Sequence, residues 1–405
     1  MLKHLLVSAC LAMPAAAEAY SACTLAPLTG AGGSIAQEGA NPVTAAGWIY
    51  AGAIDKKTVR VWTSSDGGNT LGAPASIFTG LGNVKDLRLA AEGSNLYAVW
   101  LAKSDGEDHL WFAVGRKHAA RWTKPRDLGV VDASLPQIAA DGRNVHIAYL
   151  ADTTVMVINS ADAGKTLSAP VAVAPGWGEI VTTAAGRNVY VAWNTQPAPK
   201  RYEVWTAAST DGGKHFAARN MSASRQNSAE EPIFTIDRAS GRVSLVWRDA
   251  ISTDGNYLQT TDHGATWTAP LLVDTPARQF MVVDDGKTIY VSYLKEMKVD
   301  GATDWQLHLA TSTDGGKSFP SRVDLTGPTG IGVIQGDDYR PIPWIGRDGQ
   351  FRLTGVKADG IYAWNGHDGH VLAPVHLGEG RLAAPAFNSF VWQSSQGAVS
   401  YAVCK

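Results

Sequence analysis

The sequence predicts an all-β fold, a β-propeller of four-stranded antiparallel blades, and three observations predict it. Glycine is abundant at 42 of 405 residues and tryptophan at 14, while no long segment repeats its apolar residues at the helical period. An eight-residue turn motif recurs along most of the chain. Strand-like segments of one pattern recur with it at intervals of about fifty residues, the length of one blade.

The turn motif is clearest at residues 312–319 (STDGGKSF), with copies at 64–71 (SSDGGNTL), 160–167 (SADAGKTL), 209–216 (STDGGKHF) and 260–267 (TTDHGATW). A hydroxyl residue leads, Asp follows two on, Gly four on, usually a second hydroxyl six on, then Trp, Phe or Leu. A short Asp side chain accepts hydrogen bonds from amides just ahead of it, and Gly takes the positive φ that a tight turn demands. The motif therefore reads as a clasp on a hairpin. Its Asp residues are Asp66, Asp162, Asp211, Asp262 and Asp314, so one interval is twice the others. A degenerate copy fills the gap: residues 121–125 (RWTKP) match 266–270 (TWTAP) and put Lys117 in the Asp place. A last unit follows, in which residues 371–374 (VLAP) put Gly366 there, and the units then number seven.

The strands repeat as well. Residues 188–193 (NVYVAW), 144–149 (NVHIAY), 95–100 (NLYAVW) and 288–293 (TIYVSY) are one strand met four times, each after a glycine-containing turn. Apolar and β-branched residues alternate or run together there, as in strands packed between neighbouring sheets. Each unit reads as inner strand, second strand, third strand, clasp, outer strand. Residues 24–27 (TLAP) resemble the start of an outer strand, whereas 389–392 and 398–404 read as second and third strands lacking one. Joining the ends gives a closed ring of eight blades with no open strand edge, and seven if the ends only decorate the ring.

Residues 1–19 read as a secretory signal peptide: Lys3 and His4, a short apolar run, then Ala17-Glu18-Ala19 as a small-x-small cleavage signature. The run is shorter than the roughly 20 apolar residues a membrane span needs. The mature chain, 20–405, is then one secreted or periplasmic propeller domain. Removal of the leader takes Cys10 away and leaves Cys23 and Cys404, a pair that an oxidising compartment would join; two unrelated buried thiols are the alternative. A formal net charge of -2 with 18% charged residues points to neither nucleic acid nor an anionic membrane, and the chain reads as a monomer. No phosphate loop, nucleophile elbow or Cys-x-x-Cys pair is present, so no cofactor is expected; His367, His370 and His376 carry no strong metal signature.

On these residues the turn motif resembles the Asp-box, or bacterial neuraminidase repeat, of sialidase-like β-propellers. The resemblance implies that the five Asp residues are structural, that they lie on the face away from the functional site, and that the sialidases of this family have six blades, from which this chain departs. It also implies that function sits on loops joining second to third strands and outer to next inner strands. The longest of these are 104–108, 220–232, 249–256, 295–304 and 327–343.

A sialidase-like glycosidase needs an arginine cluster for the substrate carboxylate, a Tyr nucleophile assisted by Glu, and an Asp acid. The candidates are Tyr339, Asp338, Arg340, Arg248, Arg278 and Glu231. Trp177, Glu179 and Trp305 are candidates for ligand binding, because an indole on the functional face can stack on a sugar ring. The hallmark Phe/Tyr-Arg-Ile-Pro is missing ahead of the first clasp, and residues 339–343 (YRPIP) have its flavour with an extra proline. Two functions remain open. The chain reads first as a module that binds a glycan or protein, with a sialidase-like or other polysaccharide-degrading enzyme as the alternative.

Overall fold

The computed structural model describes residues 23–32 and 43–404 apart from breaks at 56, 67–69, 81, 224–227, 300–301, 328–340, 346–349, 358–359, 368–369, 372, 379–380, 387–388 and 394–397. These residues fold into antiparallel sheets of four principal strands. Seven sheets are each built from consecutive strands, and their first strands are Val43–Ala45, Val84–Glu92, Ala133–Asp141, Gly178–Ala185, Ala229–Ile236, Ala277–Asp284 and Ile342–Ile345. They are numbered here in that order, one to seven. A further sheet joins the ends of the described chain, Cys23–Gly32 pairing with Ala398–Cys404, which pairs with Ser389–Gln393 and that with Arg381–Ala386. First strands of successive sheets are neighbours in space, so they line a common axis and the sheets stand out from it as propeller blades.

The core lies between blades. One cluster takes Leu150, Val155 and Val157 from the third sheet and Ile180, Val191 and Trp193 from the fourth. Burial on both faces explains why second strands read as continuous apolar runs rather than alternating ones: in Asn95–Ser104 every residue from Leu96 to Ala102 is buried. The aromatic that closes each run, Trp100, Tyr149, Trp193, Trp247 or Tyr293, is almost fully buried and anchors one blade to the next. Among the described residues no helix is long and apolar enough to cross a membrane.

The five Asp turns share one geometry. At Asp162, the Ser160 hydroxyl donates to Oδ1 at 2.8 Å, the Thr166 amide donates to the same oxygen at 2.9 Å, and the Thr166 hydroxyl donates to Oδ2 at 2.7 Å. Asp66, Asp262 and Asp314 repeat the set, and at Asp211 the ring Nδ1 of His215 replaces the second hydroxyl at 2.7 Å. These donors hold all five carboxyls below their ordinary range, Asp66 and Asp262 at about 2.

Two of the clasps are also gripped by the preceding blade. Asn159, at the end of a third strand in the third sheet, donates through Nδ2 to the Gly213 carbonyl of the fourth sheet's clasp at 2.8 Å, and two repeats later Gln259 in the fifth sheet does the same to Gly315 in the sixth sheet's clasp at 2.8 Å.

Two stretches expected to be loops are largely strand in their described residues, with a turn at 105–106. Residues 104–108 and 295–304 belong to the hairpins Asn95–Ser104 with Glu107–Arg116 and Ile289–Val299 with Ala302–Ser312. Both project beyond the core, so their outer residues are polar and lack the apolar signature of a strand. Ion pairs hold them, Lys85 to Asp108 at 2.9 Å and Lys298 to Glu296 at 3.2 Å.

Candidate functional site

In the second to sixth sheets the first strand is broken by a bulge at one equivalent place, between Lys85 and Arg88, Ser134 and Gln137, Gly178 and Val181, Glu230 and Ile233, and Arg278 and Met281. One residue in each bulge takes a left-handed backbone: Asp86 (φ 54), Leu135 (φ 52), Glu179 (φ 50), Glu231 (φ 59) and Gln279 (φ 56). Non-glycine residues hold such angles at a cost of order 1 to 3 kcal/mol, and bulges re-aim side chains beside functional sites. The clasps end third strands, whereas these bulges lie where first strands begin. Antiparallel order puts the two at opposite ends of every blade, so the bulges ring the mouth of the channel away from the clasps.

Chemistry concentrates in two adjacent blades. The residue after the anchoring aromatic is Leu101, Leu150 and Leu294 in the second, third and sixth sheets, all three buried. In the fourth and fifth sheets that place belongs to Asn194 and Arg248, paired across the ladder with Gly178 and Glu230. A polar group here costs burial free energy without helping the core. It serves the mouth.

The two blades are wired together. Glu179 Oε2 accepts from Asn194 Nδ2 at 2.8 Å and from the Glu231 amide at 2.7 Å across the blade boundary. Arg248 donates through Nη2 to Glu230 Oε2 at 2.9 Å and stands 3.4 Å from Glu231 Oε1. Burial pushes the Glu230 carboxyl above its ordinary range, with Arg248 opposing and neighbouring Glu231 adding to the rise. Asn194 Oδ1 and Glu231 Oε2 are buried acceptors without a donor. Trp177 leads into this network, its amide donating to the Asn194 carbonyl at 2.9 Å, and the residue is 54% exposed.

The structure thus gathers Trp177, Glu179, Glu231 and Arg248 at one mouth. Glu179 and Glu231, which read as loop residues, stand on first strands instead, because the bulge breaks the alternation that would have marked a strand. Arg278 begins the sixth sheet's first strand and lays its guanidinium 3.8 Å from the Trp305 ring centre. Trp305 is therefore covered on one face and packs on the core rather than presenting an open indole. Asp338, Tyr339 and Arg340 lie outside the described residues. Asn194 escaped the sequence reading, although the repeat held the signal: WN at 193–194 and WR at 247–248 replace the WL and YL of the other units.

A concavity of about 330 Å³ lies on the clasp face, lined by Asp141, Gly186, Asn188, Arg238 and His263 among others. Arg238 there reaches from the fifth sheet to Asp141 at 3.0 Å and Glu92 at 3.5 Å in the third and second. These ion pairs satisfy the guanidinium and tie inner hairpins across the axis, which is a structural role. Among the described residues no cluster of His, Cys, Asp and Glu is gathered to hold a metal ion.

No family model and no curated protein matches the chain. Solved structures do. The polysaccharide lyase Uly1 is similar with a TM-score of 0.51 at 10% identity, over 92% of this chain and 90% of that one. The endosialidase of phage phi92 is similar with a TM-score of 0.45 at 10% identity, over 93% and 86%, and the β-propeller domain of the Trilobed protease from Pyrococcus furiosus with 0.45 at 10%, over 76% and 90%. Identities this low speak to the propeller fold alone.

Proposed function

We propose that the chain is a secreted or periplasmic glycan-binding propeller whose site is the channel mouth opposite the clasps. One observation carries the reading: an exposed indole, Trp177, stands beside the two blades in which the buried leucine of the repeat gives way to Asn194 and Arg248. An indole stacks on the apolar face of a sugar ring, and carboxylates and amides engage its hydroxyls. Glu179, Glu231 and Arg248 orient the ligand in this reading, and Arg278, laid over Trp305, extends the site to the sixth sheet. A glycan array probed with the wild type and Trp177→Ala tests it: retained glycans should be lost in the variant. Retention of none, or retention indifferent to Trp177, would overturn it.

The same reading takes the clasps as Asp-boxes of the sialidase-like type and the terminal sheet as an eighth blade that closes the ring. Support for closure comes from Cys23–Gly32 lying near Trp48–Asp55 on one side and Arg381–Ala386 near Ile342–Ile345 and Phe351–Lys357 on the other. Cys23 stands directly opposite Cys404 in the antiparallel ladder, a position from which a disulfide would clasp the ends in an oxidising compartment.

A glycoside-cleaving enzyme is the second reading, and Glu230 favours it, since burial shifts its carboxyl upward, the direction a general acid needs. Turnover of fluorogenic glycosides, sialosides included, that Glu230→Gln abolishes while ligand affinity survives would replace the binding reading with this one.

A further inference from the structure

We infer that Asn194 is a positioning residue of the mouth: acting through Glu179, it fixes the backbone of Glu231 in the next blade, in a place where the repeat's leucine would serve stability better. This rests on the glycan-binding reading and names how that site is held ready for its ligand.

The bulge of the fifth sheet takes Glu231 and Pro232 out of the ladder, since Glu230 pairs with Arg248 and the next pair is Ile233 with Val246. Proline has no N–H, so the Glu231 amide is the one donor these two residues must satisfy outside the ladder. It donates to Glu179 Oε2 at 2.7 Å, and Glu179 is the left-handed residue (φ 50) of the preceding blade's own bulge. One bulge thus holds the next. With its amide anchored, Glu231 keeps its left-handed backbone (φ 59) and sets Oε1 3.4 Å from Arg248 Nη2, the atom that Glu230 also engages.

Asn194 stands behind this link. It donates Nδ2 to the same Glu179 oxygen at 2.8 Å, and at 4% exposure it acts on a ligand only through that carboxylate. Its Oδ1 is buried without a donor, a burden that Leu101, Leu150 and Leu294 spare the equivalent places. A residue that weakens the core while orienting a carboxylate at a mouth is a local departure of the kind that function explains.

The test restores the repeat. Asn194→Leu keeps the same branched shape, and its backbone carbonyl still takes the Trp177 amide. It is compared with wild type, Glu179→Ala and Glu179→Gln by urea midpoint, by exchange of the Glu231 amide and by retention on the glycan array. Asn194→Leu should unfold at the same or higher urea, exchange the Glu231 amide about tenfold faster and hold the array's retained glycans about tenfold more weakly, the scale of one lost hydrogen bond. Glu179→Ala should speed that exchange as much, Glu179→Gln should keep it slow because an acceptor oxygen remains, and Asn194→Leu added to Glu179→Ala should change it no further. Unchanged Glu231 exchange in both Asn194→Leu and Glu179→Ala, or glycan retention unchanged while exchange rises, would overturn the inference. A lowered midpoint with faster exchange in every blade would make Asn194 structural and overturn it as well. An array that retains nothing with wild type would sink the glycan reading and, with it, a role for Asn194 in binding, whereas failure of the Glu231 exchange alone leaves that reading standing.

Discussion

Gly213→Ala should destabilise the propeller much more than Gly212→Ala, although the two glycines are adjacent and share φ 82. Both substitutions force a side chain into the left-handed region, at roughly 1 to 2 kcal/mol. A Cβ on Gly212 meets nothing within 4 Å, so its variant reports that strain alone. A Cβ on Gly213 would stand 2.2 Å from Asn159 Oδ1 and displace an amide that is 8% exposed. Asn159 then loses its bond to the Gly213 carbonyl and its 2.7 Å contact with the His146 ring, which is 1% exposed. Leaving buried polar groups unpaired adds about 1 to 3 kcal/mol. The expected totals are about 1 to 2 kcal/mol for Gly212→Ala and about 2 to 5 for Gly213→Ala. In a chain of this length each kcal/mol moves the melting temperature by only roughly 1 °C, so urea midpoints resolve the pair better. Equal midpoint shifts would refute the claim that the clasp couples one blade to the next.

Arg248→Met should cost about 1 to 3 kcal/mol, below the figure for a fully buried pair because the partners are partly exposed, and should raise the Glu230 carboxyl further. A carboxyl whose folded value is raised binds its proton better in the folded state, so this group's contribution to stability falls as pH rises from the ordinary carboxylate range through the raised value; denaturation across that window should show a steeper fall in the variant. The clasps have the opposite sign. Their lowered carboxyls favour the folded state above the ordinary range and lose that contribution as pH falls from about 4 to about 2, so acid unfolding in that window should flatten when Asp66 and Asp262 are both replaced by Asn. If the chain is exported as proposed, non-reducing mass spectrometry should find Cys23 joined to Cys404, and two free thiols would contradict it; the bridge would stabilise by about 2 to 4 kcal/mol.

Much of the fold was legible because a propeller writes itself into sequence as repetition. The Asp of each clasp, its hydroxyl partners and the Gly four residues on are fixed by hydrogen bonds inside eight residues, so they can be read without tertiary knowledge. The docking of Asn159 and Gln259 on the next clasp could not be, since it spans more than fifty residues and depends on how blades sit side by side. The mouth was half legible. Trp177, Glu179, Glu231 and Arg248 stood out by residue type, but the bulges disguised their strands as loops, because a left-handed residue inserts one place into the alternation. Asn194 was hidden in a strand that otherwise reads as core, and only the substitution of one leucine in the repeat reveals it.

Hydrogen exchange of the amides, with and without a glycan retained by the array, tests the central claim most directly, because the two faces of the propeller lie on different peptides. Ligand should protect residues 176–181 and 229–233 at the mouth and leave the clasp at 209–216 unchanged. Protection at that clasp, or around Asp141, Arg238 and His263, with the mouth unaffected, would place the site on the other face and contradict the account.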